Sequence, residues 1–297
     1  MKPSFILLPL AAAALALAVS CNQEPAPVAS PSEPREIVFS AGGAMSAEVT
    51  TKTSEISSLE SSGFYVSATS GTTTESQLWN NAAFSYSSGK YKGSKYWPLE
   101  NNGIHFYASN ANMSFSEDGC IVEGASANSK DVVCAYLPSP AWKEPNDLTF
   151  EHIFARIGVV NVTPPAGYNV SGFSITFTPY VSGNYNIKTG EWSGKAVDTS
   201  MSNKTIANSA TSANDNNMWV VPGEYELTAT YTLEKGSGAG RYQEQFTKKA
   251  TVNLVAGKVS SIQTTLPDGN ATEILFNVTV TPWGSNAISA TFTDPQP

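Results

Sequence analysis

Hydrophobic and polar residues alternate along much of this chain, with a period of two. Ile274, Phe276, Val278 and Val280 fall on one face of an extended segment, and Leu275, Asn277, Thr279 and Thr281 on the other. Tyr225, Leu227, Ala229, Tyr231 and Leu233 alternate in the same way with Glu226, Thr228, Thr230 and Thr232. Successive side chains of a strand point to opposite faces, so this spacing predicts half-buried β-strands. Further strands are predicted over residues 37–40, 64–68, 104–108, 132–136, 152–162, 173–178, 251–255 and 259–266. Turn dipeptides separate them: Ser88-Gly89, Asn102-Gly103, Thr189-Gly190, Pro222-Gly223, Ala256-Gly257 and Asp268-Gly269. After Cys21 no amphipathic segment of helical period exceeds two turns.

Short strands with regular turns predict an all-β chain built from β-sandwiches. The chain is long enough for two, and Pro164-Pro165 is the expected joint, because a Pro pair cannot continue a central strand. The expected bodies are residues 36–164 and 165–297, with residues 203–217 as an exposed loop before a strand starting at Met218. The first twenty residues follow a different pattern. Lys2 precedes an apolar run from Phe5 to Val19, interrupted only by Pro9 among its strong helix formers, and small residues Ala18-Val19-Ser20 lead into Cys21. Residues 1–20 therefore read as a secretory signal peptide. Ala18-Val19-Ser20-Cys21 resembles the lipobox of bacterial lipoproteins, which implies that the Cys21 thiol carries the lipid. Residues 21–35, with Pro25, Pro27, Pro31 and Pro34, read as an extended tether that buries too little to fold. No later apolar stretch approaches the roughly 18 residues of a membrane-spanning helix, so lipid alone is the expected anchor.

Composition narrows the chemistry. The formal net charge is −8, only 14% of residues are charged, and no basic tract occurs, which argues against nucleic acid as a partner. His105 and His152 are the only histidines, and both lie on strand-like runs, where a backbone-bonded strand histidine is the expected role. No nucleophile elbow, His-Glu-x-x-His motif, calcium loop or phosphate-cradling glycine pattern is present, so neither a catalytic site nor a cofactor or metal is expected. Trp97, Trp192 and Trp283 stand at predicted strand ends, where aromatics cap sandwich cores more often than they stack on sugars. Cys120 and Cys134 leave two alternatives open. Facing strands of a hairpin spanning residues 122–132 would bring them into a disulfide, or Cys134, within Val132-Val133-Cys134-Ala135, is an inert core thiol.

Several segments in their order resemble the fimbrillin family of Bacteroidales, the structural subunits of type V pili. Behind Cys21 and its Pro-rich spacer come Ile37-Val38-Phe39-Ser40-Ala41-Gly42, Tyr96-Trp97-Pro98 and Ile104-His105-Phe106-Tyr107-Ala108. Further along are Leu148 to Ile157, Val220-Val221-Pro222-Gly223-Glu224-Tyr225, Leu254-Val255-Ala256-Gly257-Lys258 and Val278-Thr279-Val280-Thr281-Pro282-Trp283. The resemblance implies two transthyretin-like β-sandwiches and a lipoprotein precursor carried to the outer-membrane surface. It also implies a trypsin-like protease that removes the first strand, opening a groove for a strand of the next pilus subunit. On that scheme Ile37, Val38 and Phe39 mark the removable strand. Lys52, beyond it, is the expected cleavage site, with Arg35, before it, as second choice. Ile288, Ala290 and Phe292 form the candidate donor strand. The competing expectation is a surface lipoprotein that binds a host protein or glycan and never polymerises.

Overall fold

A computed structural model of the chain describes residues 35–43, 58–71, 75–98, 103–127, 131–138, 146–197, 204–207, 214–266 and 275–282. Among the described residues the secondary structure is β throughout, apart from a single 3-10 turn at Gly238–Gly240. The sheets form a sandwich-like all-β arrangement.

With strands numbered in chain order, seven close a barrel in the N-terminal half. These are β1 (Glu36–Gly43), β2 (Phe64–Ser70), β3 (Ser76–Ser87), β4 (Lys90–Tyr96), β5 (Ile104–Ser109), β8 (Val133–Leu137) and β9 (Asn146–His152). Their order is β1-β4-β3-β2-β5-β8-β9, and β1 pairs with β9 to complete the ring. Inward-facing positions supply its core: Ile37, Phe39, Phe64, Val66, Phe84, Phe106, Leu148 and Phe150. β3 and β4 are joined through Ser88 and Gly89, both at positive φ (52° and 81°), the backbone that a tight two-residue hairpin requires.

The C-terminal half is a sandwich of two four-stranded sheets. One runs β15 (Asn214–Val220), β10 (Ala155–Thr163), β18 (Lys258–Thr265) and β19 (Leu275–Pro282). The other runs β14 (Lys204–Ala207), β11 (Asn169–Phe177), β16 (Gly223–Lys235) and β17 (Tyr242–Leu254). Ile157 and Val160 of one sheet share a core with Phe173, Ile175, Leu227 and Tyr231 of the other. The alternation read along residues 225–233 is the buried face of β16.

A third sheet joins the halves. β6 (Ser114–Ser116) and β7 (Gly119–Ser126) leave the barrel after β5 and pair with β12 (Tyr180–Asn186) and β13 (Trp192–Val197), in the order β13-β12-β7-β6. This sheet shares a core with the outer side of the barrel, through Tyr107 and Cys134, and with Phe154, Trp219 and Val221.

The structure bears on three expectations. Among the described residues, strand β10, placed by the sequence in the N-terminal sandwich, pairs with β15 and β18. The Pro pair does end a strand, since proline cannot donate to a ladder. Beyond it the chain turns, with the Tyr168 amide donating to the Pro165 carbonyl, and passes from β10 to β11 in the facing sheet. Residues 203–217, expected as a loop, include β14, paired with β11, and the start of β15, paired with β10. Cys120 and Cys134 are free, buried thiols. No hairpin joins them, because β7 belongs to the bridging sheet and β8 to the barrel.

Candidate functional site

The first strand closes the barrel, and its sequence explains how. Ile37 and Phe39, two apart, point into the core and are completely buried. The Phe39 ring stands edge-on to Phe84 and Phe106 at 5.0 Å each, and to Phe64 at 6.4 Å. Val38, on the opposite side of the strand, is also buried. Burying three such side chains contributes roughly 5–9 kcal/mol, an upper bound because unfolded chains already hide some apolar surface.

The two neighbours of β1 share its length between them. Glu36, Val38 and Phe39 pair with β4 in antiparallel register, while Phe39 to Gly43 pair with β9 in parallel register. Polar clasps reinforce both sides. The Asn146 amide donates to the Val38 carbonyl at 3.0 Å in a buried position, and Ser40 donates to Asp147. At the start of the strand the Trp97 amide donates to the Arg35 carbonyl at 2.9 Å. Trp97 is buried just past β4 and packs against Phe106, the core-capping role expected of it. Trp192 opens β13 and packs on Phe154 and Tyr185.

Of the residues singled out in the sequence, the structure brings Ile37, Val38 and Phe39 together in this closing strand. Arg35 is exposed directly before it. Cys21, Lys52, Trp283, Ile288, Ala290 and Phe292 lie outside the described residues. Asn146 and Asp147 were not singled out in the sequence; their only signal is a polar pair opening the Leu148–Phe150 apolar run.

A second polar assembly lies where the barrel meets the bridging sheet. One Glu75 oxygen accepts from Thr69 and Tyr107 at 2.6 Å each, and the other accepts from Lys188 in the turn between β12 and β13. Burial pushes the Glu75 carboxyl up, but the bonds from Lys188, Thr69 and Tyr107 outweigh it and hold the group at about 2. His105 pairs through Nδ1 with the Tyr136 hydroxyl at 2.8 Å, and His152 Nδ1 lies 2.8 Å from an Asp131 carboxylate oxygen. Burial pushes the Cys120 and Cys134 thiols up to about 12, which keeps them protonated and unreactive. Among the described residues no group of three or more His, Cys, Asp or Glu side chains could hold a metal ion.

A family model described as fimbrillin-like matches residues 47–283. The chain belongs to the fimbrillin-like family. Solved structures similar to this fimbrillin-like chain come from Bacteroides and Parabacteroides species. A provisionally named cell adhesion protein of Bacteroides ovatus is 14% identical, with 86% of this chain and 99% of that one covered and a TM-score of 0.46. One of Bacteroides uniformis, with the same provisional name, is 13% identical over 84% and 99%, with a TM-score of 0.43. A fimbrial assembly protein of Parabacteroides distasonis is 12% identical over 84% and 99%, with a TM-score of 0.39. A search of curated proteins found no match.

Proposed function

We propose that this chain is a structural subunit of a type V pilus, exported as a lipoprotein precursor held at the outer membrane through Cys21, and serving adhesion at the cell surface. It is a building block, not an enzyme, and its partners are further subunits joined by strand exchange. The observation that carries the reading is β1: the first described strand, paired on both sides, whose Ile37 and Phe39 fill the barrel core. Its loss opens an apolar slot edged by the unpaired backbone of β4 and β9, a template for an incoming strand.

Where the chain is cut decides whether that slot opens. The Arg35 carbonyl is bonded to Trp97, and Glu36 is already paired with Tyr96, so a protease meets constrained backbone there. A cut at Arg35 also leaves β1 in place. Lys52 lies beyond the strand, and a cut there by a trypsin-like protease removes the lipid and β1 together. Ile288, Ala290 and Phe292 then supply the donor strand. Mass spectrometry of surface-assembled protein tests this: the reading expects a mature N-terminus at Thr53, and an intact Lys52–Thr53 bond sinks it. Deleting residues 285–297 should abolish polymers while leaving a folded subunit.

The closed barrel also favours a second reading, for a copy that is never cut. With β1 seated the core is complete, and such a copy stays on the surface as a lipid-anchored protein that binds a host protein or glycan. Trypsin treatment separates the two, because only the polymerising subunit forms ladders on unheated gels.

A further inference from the structure

The first strand fixes where the tether meets the barrel. β1 and β9 run parallel, and the sandwich continues past the far end of β9 at His152, so Arg35 marks the barrel end remote from the sandwich. The segment between Cys21 and Arg35 therefore enters at that end, beside Tyr96 and Trp97. Fully extended, it reaches at most about 50 Å, which confines the barrel to the neighbourhood of whatever holds Cys21.

The wall next to this entry point differs in charge from the rest of the molecule. In a chain of net charge −8, strands β1 and β4 with Arg35 carry Arg35, Lys90, Lys92 and Lys95 against a single acid, Glu36. Lys90 and Lys92 flank the inward Tyr91 and so face outward; Lys92 is exposed, opposite exposed Ser85 of β3. Among the described residues neither Lys90 nor Lys92 has an ion-pair partner. Lys95 lies 5.8 Å over the Trp79 ring, and Tyr65 and Tyr96 are exposed. Strand β3 carries no charged residue. The bridging sheet packs on the barrel at Tyr107 and Cys134 and leaves Tyr65, Ser85 and Lys92 open. On the other flank β9 brings Asp147 and Glu151, so the basic character ends at β1.

We propose that the lipidated precursor rests this β3–β4 wall on the anionic headgroups of the bilayer that holds Cys21, so that the barrel lies against the surface instead of hanging free on its tether. The inference rests on the lipid-anchor reading and adds an orientation to it. Near an anionic leaflet each lysine strengthens attachment about five-fold, and tyrosines, apolar in body and polar at the tip, suit the headgroup layer. The tether supplies the high local concentration that lets so few charges act. A cut beyond β1 removes the tether, Arg35 and β1 together, so the contact belongs to the precursor.

The test uses the uncut, lipidated full chain, extracted from membranes and incorporated into vesicles of phosphatidylcholine alone or mixed with phosphatidylglycerol. Ser85→Cys places a thiol opposite Lys92, and Thr251→Cys places one on exposed β17 as the reference. Cys120 and Cys134 are buried and do not compete. In anionic vesicles the thiol of Ser85→Cys should react with a maleimide about ten-fold more slowly than in neutral ones, while the Thr251→Cys rate stays the same. High salt, or K90Q combined with K92Q, should erase the difference. Equal Ser85→Cys rates in the two vesicles overturn the proposal, as does slow labelling in both, the mark of a contact between copies. A chain that floats with neither vesicle overturns the lipid-anchor reading together with this inference, whereas one that floats with equal rates overturns this inference alone.

Discussion

Phe39 offers the sharpest test of the closing strand, because its ring is completely buried and touches three other aromatic rings within 6.4 Å. Replacing it with alanine removes the transfer energy of the ring and leaves a cavity that the Phe64, Phe84 and Phe106 rings cannot fill without leaving their edge-to-face geometry. Phe→Ala changes in well-packed cores cost about 3–5 kcal/mol. A chain of this size loses about 2–4 °C of Tm per kcal/mol, so Phe39→Ala should lower the melting temperature of the uncut protein by roughly 6–20 °C. Tyr96→Phe is the matched control. Tyr96 lies opposite Glu36 at the start of the same strand but is 52% exposed, so its change should stay within about 0.5 kcal/mol. Melting followed by circular dichroism, with urea titration as a second measure, reads both. If Phe39→Ala melts within about 3 °C of the parent, β1 does not complete the core, and the reasoning that its removal opens a slot fails.

Asn146→Ala removes a buried side-chain donor to the Val38 carbonyl, so it should cost about 0.5–1.5 kcal/mol and speed hydrogen exchange in Glu36–Gly43 more than elsewhere. Glu75→Gln should destabilise the chain at neutral pH by about 1–2 kcal/mol once solvent screening is counted. Because the folded carboxyl is held down at about 2, that contribution is present above its ordinary value and lost as pH falls toward 2. Chemical denaturation of both proteins across that range should therefore show their difference shrinking, and a constant difference would argue for a purely steric effect. Cys120 and Cys134 should resist a thiol reagent in the native Cys21→Ser protein and react stoichiometrically in denaturant, with gel mobility the same with and without reductant. Rapid native labelling would contradict their burial.

The strands most legible in the sequence are those whose burial alternates cleanly, such as β16, where Tyr225 to Leu233 fill one core face. Strand β3 is a contrary case. In Ser-Gln-Leu-Trp-Asn-Asn-Ala-Ala-Phe-Ser-Tyr-Ser only Phe84 is fully buried, so the backbone ladder, not the apolar pattern, makes it a strand. The bridging sheet was invisible for another reason. Its central pairing, Tyr185 with Val122 and Gly183 with Ala125, joins segments some sixty residues apart, and nothing local to either announces its partner. Within the candidate site, the spacing of Ile37 and Phe39 marked the inward face of β1. The clasps from Trp97 and Asn146 depend on the barrel closing and had no sequence signature of their own.

The split register of β1 has a kinetic consequence. Its N-terminal half leans on β4, its C-terminal half on β9, and Phe39 alone pairs with both. The strand therefore need not leave in one step. Either half can peel away while the other stays seated, so the barrier to releasing β1 divides into two smaller ones with Phe39 as the pivot. On the proposed strand-exchange reading, an incoming segment that captured the freed edge of one neighbour would gain a foothold before the resident strand had gone.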